Sequence, residues 1–371
     1  MTSDGDLDIF LVTAPGLEAL LCAEAAEKGF RDPVPEAGGV TVRGGWPEVW
    51  RANLELRGAS RVLVRLGEFR ALHLAQLDKR SRRLPWAQVL RPDHPVQVDA
   101  ACKGSRIYHE KAAAQRIARA VTEELGAPIV RGAEVRVKAR ILDDLCTVSL
   151  DTSGEPLHKR GHKEEVNKAP LRENLAALFL RFCGFDGSAP VVDPMCGSGT
   201  FVIEAAEIAA GLLPGRTRRF AFEQFAGFDQ EAWAKLRGGA GKTVPEVRFF
   251  GSDRDAGAVR MSQANAERAG VHALTEFREQ AVSALTPPEG PPGLVMVNPP
   301  YGGRIGDTKG LQPLYHSLGR TLKERFAGWR VGLIANAAPL ARATGLPFAS
   351  ETAPVAHGGL RVKVYATDPL E

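Results

Sequence analysis

Residues 298–301 read Asn-Pro-Pro-Tyr, and that order of residue types supports one kind of chemistry. The apolar run Leu294-Val295-Met296-Val297 ahead of them predicts a buried strand. Two prolines at its end impose a rigid, extended exit, because each fixes its own φ and biases the preceding residue away from helix. The Asn298 carboxamide and the Pro299 carbonyl then point outward as acceptors. An exocyclic amine on a base has two N–H donors and a lone pair delocalised into its ring. Two fixed oxygens can hold both hydrogens, turn the lone pair toward a methyl group and stabilise the positive charge developing on nitrogen. Tyr301 can stack on the flat base. The expected catalytic residues are therefore Asn298, Pro299, Pro300 and Tyr301, and no nucleophile or strong base is required.

A second stretch points to the methyl donor. Ala189 to Val192 can be a buried strand running into Asp193-Pro194-Met195-Cys196-Gly197-Ser198-Gly199-Thr200. From Thr200 the apolar positions Phe201, Ile203, Ala205, Ala206, Ile208 and Ala209 predict a helix. Gly197 and Gly199 permit positive φ and a close ligand approach. Strand, glycine turn and helix N-terminus together set free N–H groups at the carboxyl edge of a sheet, where nucleotide-like ligands bind. The dinucleotide and phosphate-loop fingerprints are both missing from this stretch. A carboxylate ahead of the glycines would repel a pyrophosphate and suits a cationic ligand. S-adenosylmethionine, with an ammonium, a sulfonium and no phosphate, meets that condition. Val247 to Gly251 predicts the next strand, ending in Ser252-Asp253-Arg254-Asp255. A carboxylate at that end can accept both hydroxyls of a ribose diol. Asp193 and the loop Cys196–Gly199 are expected at the methionine end, and Asp253 at the ribose.

Two lookalikes fail. Gly238-Gly239-Ala240-Gly241-Lys242-Thr243 imitates a phosphate loop, but Leu236 stands where the first glycine belongs and no apolar strand precedes it. His158 and His162 are four apart, but Pro156 and Gly161 argue against a helix presenting both to a metal, and no metal site is expected.

The elements around these motifs imply several domains, since 371 residues exceed one small core. No apolar run is long enough for a membrane span, and the first six residues lack a basic start and an apolar stretch of a secretory signal. Cys22, Cys102, Cys146, Cys183 and Cys196 are few, odd in number and far apart, which favours reduced thiols in a cytoplasm.

The front of the chain reads differently from the back. Asp8 to Thr13, Val40 to Arg43 and Arg61 to Leu66 predict strands, with helices opening at Pro15 and Trp46, an order close to β-α-β-β-α-β. Residues 51–140 hold 19 Lys/Arg against 9 Asp/Glu, so the remainder of this +4 chain is net acidic. Such a region suggests a polyanionic partner. Lys79, Arg80, Arg82 and Arg83 are clustered ahead of Trp86. Lys103 and Arg106 precede a helix expected over Tyr108 to Leu125, a natural phosphate position. Val135 to Ile141 and Leu145 to Leu150 predict a hairpin. Thr152 to Lys168 reads as a linker. Beyond it strands and helices alternate as in a parallel sheet covered on both faces, with a long insert at about Gly211 to Pro245.

These motifs resemble those of the Rossmann-like amino-methyltransferases: Asp193-Pro-Met-Cys-Gly-Ser-Gly-Thr, Gly251-Ser-Asp-Arg-Asp and Asn298-Pro-Pro-Tyr. Pro156-Leu-His-Lys-Arg-Gly, Ala169-Pro-Leu-Arg-Glu-Asn-Leu-Ala and Phe220-Ala-Phe-Glu are similar to one subgroup, the THUMP-domain RNA guanine-N2 methyltransferases of large-subunit rRNA or tRNA, often labelled adenine-specific DNA methylases. The resemblance implies an α/β fold: a seven-stranded Rossmann-like methyltransferase domain over 156–371 with an antiparallel last strand. It also implies an α+β ferredoxin-like module over 1–68 and a THUMP module over 69–155. Val355 to Tyr365 fits the closing hairpin. The family's adenine-contacting Asp after the third strand is missing, and Gln280 or Ala281 stands near that place. His357-Gly358-Gly359 replaces the usual Asn-Gly turn.

The resulting expectation is an S-adenosylmethionine-dependent enzyme methylating the N2 amine of a guanosine in RNA, 23S rRNA ahead of tRNA. It is expected to be cytoplasmic and monomeric, with Lys79, Arg80, Arg82, Arg83, Lys103, Arg106 and Arg304 on the RNA. Three alternatives stand beside it. Adenine N6 in DNA and a glutamine amide in protein would use the same Asn-Pro-Pro-Tyr chemistry. A catalytically dead RNA-binding assembly factor would need no cofactor.

Overall fold

The computed structural model describes residues 6–164, 171–239, 243–302 and 309–371, with only the backbone of residue 309. The chain divides into two compact units. One comprises Met1–Thr13, Cys22–Leu157 and Thr217–Gly239; the other comprises Ala14–Leu21, His158–Arg216 and Ala240–Glu371.

In chain order the first elements are β1 (Leu7–Val12), α1 (Glu18–Glu27), β2 (Arg31–Glu36), β3 (Gly39–Gly44), α2 (Trp46–Glu55) and β4 (Arg61–Arg70). They are followed by α3 (Leu74–Ser81), α4 (Trp86–Val89), β5 (Val96–Lys103), α5 (Glu110–Leu125), β6 (Val135–Leu142) and β7 (Leu145–Asp151). The seven strands form one sheet, ordered β2-β3-β1-β4-β7-β6-β5. The sequence-expected boundary at 68/69 falls inside β4, which pairs antiparallel with β7 from Leu63↔Asp151 to Arg70↔Leu145. The two segments expected as separate front modules thus share a single ladder. β2 contains Pro33 and Pro35 and lies at the sheet edge, where a strand tolerates missing N–H donors.

The segment Thr217–Gly239, expected as part of an insert in the back domain, packs in the front unit. Its aromatic residues need a core, and they find one. Phe222 stacks near Trp50 at 6.1 Å between ring centroids and meets Trp233 edge-on at 5.0 Å. Arg218 donates to the carbonyls of Glu155 and Pro156 at 2.6 and 2.8 Å. The short helix α8 (Gln230–Gly238) closes the segment, capped by Asp229, which accepts from the Ala232 N–H.

The second unit carries α6 (Glu173–Phe182), β8 (Val191–Asp193), α7 (Thr200–Ala209), β9 (Phe249–Asp253), α9 (Ala256–Ala269), β10 (Thr275–Glu279) and β11 (Leu294–Val297). Then come α10 (Gln312–Arg325), β12 (Arg330–Ala335), α11 (Ala338–Ala343), β13 (Phe348–Glu351), β14 (Val355–His357) and β15 (Leu360–Thr367). The sheet order is β10-β9-β8-β11-β12-β15-β13, with β14 paired to β15. The first five strands are parallel, and β15 runs antiparallel to both β12 and β13. β8 and β11 are buried at every residue, which matches the apolar run of β11 and the two valines that precede Asp193 in β8. The strand order reverses between β8 and β11, and ligands of such sheets bind outside the carboxyl ends at that reversal. Among the described residues no helix is long and apolar enough to cross a membrane.

Candidate active site

Three neighbouring parallel strands bring the sequence-predicted site residues to one sheet edge. Asp193 ends β8 in register with Gly251 of β9, and Val192 is in register with Val295 of β11. β9 and β11 run further, so Asp253 and Asn298 stand one short step beyond Asp193 on either side.

Local chemistry fixes each piece. Gly197 (φ +53°) and Gly199 (φ +81°) both occupy the left-handed region, which turns the chain from β8 into α7. The Gly199 N–H donates to the Cys196 carbonyl at 2.7 Å, and the Cys196 N–H donates to the Ser252 carbonyl at 2.9 Å. From α9, Ser262 Oγ donates to the Gly197 carbonyl at 2.9 Å and Asn265 Nδ2 to the Ser198 carbonyl at 3.1 Å. Gly251 must lack a side chain: a Cβ there would lie 2.5 Å from the Phe277 ring and 3.2 Å from Cys196 Cβ.

Asp193 is buried, and its Oδ1 accepts from the Met195 N–H at 3.1 Å. Burial pushes its carboxyl up to about 8 against the pull of that N–H, and the charge of Asp253 adds to the rise. Asp253 accepts one backbone N–H on each oxygen, Gly197 at 3.1 Å and Asp255 at 3.0 Å. Each oxygen keeps a further lone pair for a hydroxyl donor. Gln280 Nε2 donates to the Ala284 carbonyl at 2.8 Å, which leaves Oε1 as that side chain's acceptor.

On the other side, Asn298 Oδ1 is buried and accepts no hydrogen bond. Tyr315 of α10 donates its hydroxyl to the Pro300 carbonyl at 3.3 Å and pins the proline turn. Tyr301 is half-buried, and burial pushes its phenol up to about 12, so the ring stays neutral.

One cavity of about 810 Å³ takes in these groups. Its walls include Asp193 to Ser198, Thr200, Asp253, Arg254, Gln280, Ala281 and Asn298 to Tyr301. Gly199 is absent from the wall; it caps α7 from behind. The closing hairpin contributes Gly358 and Leu360, and α10 contributes Leu314 and Ser317. The volume suits a nucleoside-sized ligand with room for a second flat group. A buried acid, a ribose-type acceptor and an unpartnered amide oxygen in one cavity fit S-adenosylmethionine and an amine-bearing base.

Sequence reasoning misses three supports. Lys163 Nζ donates to Thr200 Oγ1 at 2.9 Å and to the Leu171 carbonyl at 2.7 Å, and pairs with Glu173 at 3.2 Å. Ser262 and Asn265 form the second support, and two polar residues three apart on one helix face are a detectable signal. Tyr315, the third, carries no signal of its own.

The RNA-facing expectations divide. Lys79, Arg80, Arg83, Lys103 and Arg106 are exposed or half-buried in the front unit. Arg82 is not available as expected: it pairs with Asp78 at 3.1 Å, with Glu124 at 3.2 Å and with Glu123, and these carboxylates raise its guanidinium pKa. The loop ahead of the next helix carries acids of its own. α5 begins at Glu110, whose side chain accepts from the Cys102 N–H, and the Arg106 N–H donates to Asp144 Oδ1 at 2.7 Å. Acids thus occupy the Cys102 and Arg106 N–H groups of the loop ahead of α5, and the side chains of Lys103 and Arg106 remain exposed. Arg304 lies outside the described residues, as do residues 240–242 of the false phosphate loop, 165–168 of the linker and Ala169 and Pro170. A second cavity, about 1000 Å³, lies in the front unit beside Arg219, Trp233 and Arg237 and holds no expected site residue.

Comparison with known proteins agrees with this fold. Residues 160–364 match the family described as RMKL-like, methyltransferase domain, and residues 8–63 match the RlmL ferredoxin-like domain. A Psychromonas ingrahamii protein, ribosomal RNA large subunit methyltransferase K/L, is 37% identical over 344 residues, 89% of this chain and 46% of its own length. The chain thus spans about half the length of the curated relatives it matches. A Listeria monocytogenes crystal structure, described as a predicted N6-adenine-specific DNA methylase, superposes with a TM-score of 0.88 at 29% identity, covering 98% of this chain and 96% of that one. SMU.472, described as a methyltransferase and solved with SAH, superposes with a TM-score of 0.89 at 26% identity over 99% of both chains.

Proposed function

We propose, from the premise that this chain belongs to the RMKL-like methyltransferase-domain family, that it methylates the N2 amine of a guanosine in large-subunit ribosomal RNA. S-adenosylmethionine supplies an electrophilic methyl group on a sulfonium. The carrying observation is the buried, unpartnered Asn298 Oδ1 in the wall of the cavity that also holds Asp193 and Asp253.

Asp193, as its carboxylate, and the Cys196–Gly199 loop would hold the cationic methionine end. Asp253 would accept the ribose hydroxyls. Asn298 Oδ1 and the Pro299 carbonyl take the two amine hydrogens and aim the nitrogen lone pair at the methyl carbon. As the new N–C bond forms, the C–S bond breaks and its electrons leave with sulfur. The same two oxygens stabilise the ammonium-like nitrogen until it loses one proton to solvent. Tyr301 stacks on the base.

The substrate class rests on two supports. The curated relatives are ribosomal RNA methyltransferases, and a front unit rich in cations suits a polyanion. Residues 69–155 would serve as the THUMP-type RNA-binding module. The Listeria protein's description favours adenine in DNA, and the two readings part in one assay. Purified protein is incubated with S-adenosylmethionine and unmodified rRNA, tRNA or duplex DNA, and digested nucleosides are identified by mass spectrometry. N2-methylguanosine in large-subunit rRNA is expected; N6-methyladenine in DNA would overturn the proposal.

A further inference from the structure

We propose that Asn336 reads the edge of the target base beside its amine, accepting the guanine N1–H. The inference rests on the guanine-N2 reading and adds the residue that selects guanine over adenine.

Asn336 follows β12 directly, as Asn298 follows β11. These strands are neighbours and parallel, in register from Leu294↔Arg330 to Val297↔Leu333. Continued past its last pair, that register would set Asn336 level with Pro300; the wall of the cavity of about 810 Å³ includes Pro300 and not Asn336. Strand alternation gives both asparagines the same face. Val295, Val297, Val331, Leu333 and Ala335 belong to one core cluster with Leu318 and Leu322 of α10. Met296 and Gly332 face the other way and touch: a Cβ on Gly332 would meet the Met296 sulfur. Asn298 and Asn336 fall on that second side.

Both side chains also share an anomaly. Asn336 Oδ1, like Asn298 Oδ1, is buried and accepts no hydrogen bond. Leaving such an oxygen unpaired is costly, so a pair of them at adjacent strand ends points to donors that arrive with a ligand. Guanine presents three donors in a row, two on N2 and one on N1. Adenine presents two on N6 and then an acceptor at N1. A third acceptor beside the Asn298–Pro299 pair therefore fits guanine and leaves adenine with two opposed lone pairs.

The experiment is a cycle between residue and base. Methyl transfer is measured on a short rRNA fragment carrying guanosine or 2-aminopurine at the target; the latter keeps the 2-amine and lacks N1–H. Wild-type protein is expected to lose about 10–100-fold in kcat/KM on 2-aminopurine. Asn336→Ala is expected to lose a similar factor on guanosine and little more on 2-aminopurine, with unchanged S-adenosylmethionine affinity. Asn336→Asp keeps an acceptor and should retain most of the guanosine rate, which also covers an alanine variant that fails to fold. An alanine variant that still distinguishes the two bases by the wild-type factor overturns the assignment. So does an aspartate variant as inactive as the alanine one. Wild-type protein inert on the guanosine fragment would instead overturn the function itself.

Discussion

The Gly197 N–H donates to Asp253 Oδ2 at 3.1 Å, so the loop after β8 is latched to the acid that ends β9. One carboxylate thereby shapes the methionine end of the cavity while keeping lone pairs for a ribose. Asp253→Ala should weaken S-adenosylmethionine binding by about 10–100-fold, the loss of roughly 1.5–3 kcal/mol for hydrogen bonds to a charged group. Isothermal titration against wild type checks this, and an unchanged Kd would remove Asp253 from the site.

Asp193 makes cofactor binding depend on pH. Burial first, with the Asp253 charge adding, holds its carboxyl up at about 8, so at neutral pH the free protein keeps a proton there. A cationic ligand favours the carboxylate and must expel that proton. Affinity should therefore rise with pH from about 6 to 7.5, up to tenfold per pH unit, below the range where the ligand's own amine titrates. Asp193→Asn should flatten the profile. Stability of the free protein runs the opposite way. Between 3.8 and about 8 the native state binds more protons than the unfolded chain, so stability falls as pH rises through that window. Thermal melts of wild type and Asp193→Asn across the window measure the difference.

Gly251→Ala should damage the cavity from behind. The added carbon would sit 2.5 Å from the Phe277 ring and 3.2 Å from Cys196 Cβ. Overpacking of this kind costs about 1–3 kcal/mol. A lower melting temperature together with weaker cofactor binding is expected, and a normal melt with normal binding would show that the loop yields freely.

The basic residues of the front unit should separate by salt dependence. Exchanging Lys79, Arg83 or Lys103 for Glu should weaken RNA binding. The slope of log K against log salt should fall by about 1 for each phosphate no longer neutralised. Arg82→Ala should instead lower the melting temperature and leave that slope alone, because its guanidinium already bridges Asp78, Glu123 and Glu124. Filter binding at several salt concentrations distinguishes the two classes.

Much of the site is legible in the sequence because its signals are local. A strand, an acid and two glycines within a few residues determine a turn whatever surrounds them, and two prolines determine an exit. Partnerships across long sequence gaps are not legible. Arg82 reads as free because two of its carboxylates, Glu123 and Glu124, lie some forty residues away. Thr217–Gly239 reads as part of the back domain, yet Phe220, Phe222, Phe225, Phe228 and Trp233 require burial, and Trp50 supplies the partner in the front unit. β2 carries Pro33 and Pro35, which no inner strand accommodates and an edge strand does, so it shows no ordinary strand pattern. Asn336 is one asparagine after one strand, and only the register with β11 gives it meaning.

Methyl transfer requires reach between Asn298 and a methyl group, and a crystal structure with a non-transferring S-adenosylmethionine analogue such as sinefungin measures it. The group replacing the methyl should lie within about 5 Å of the Asn298 carboxamide oxygen, close enough for an intervening amine to attack from about 3–3.5 Å. An analogue seated against Asp193 and Asp253 with that group turned away, beyond about 10 Å from Asn298, would contradict the account.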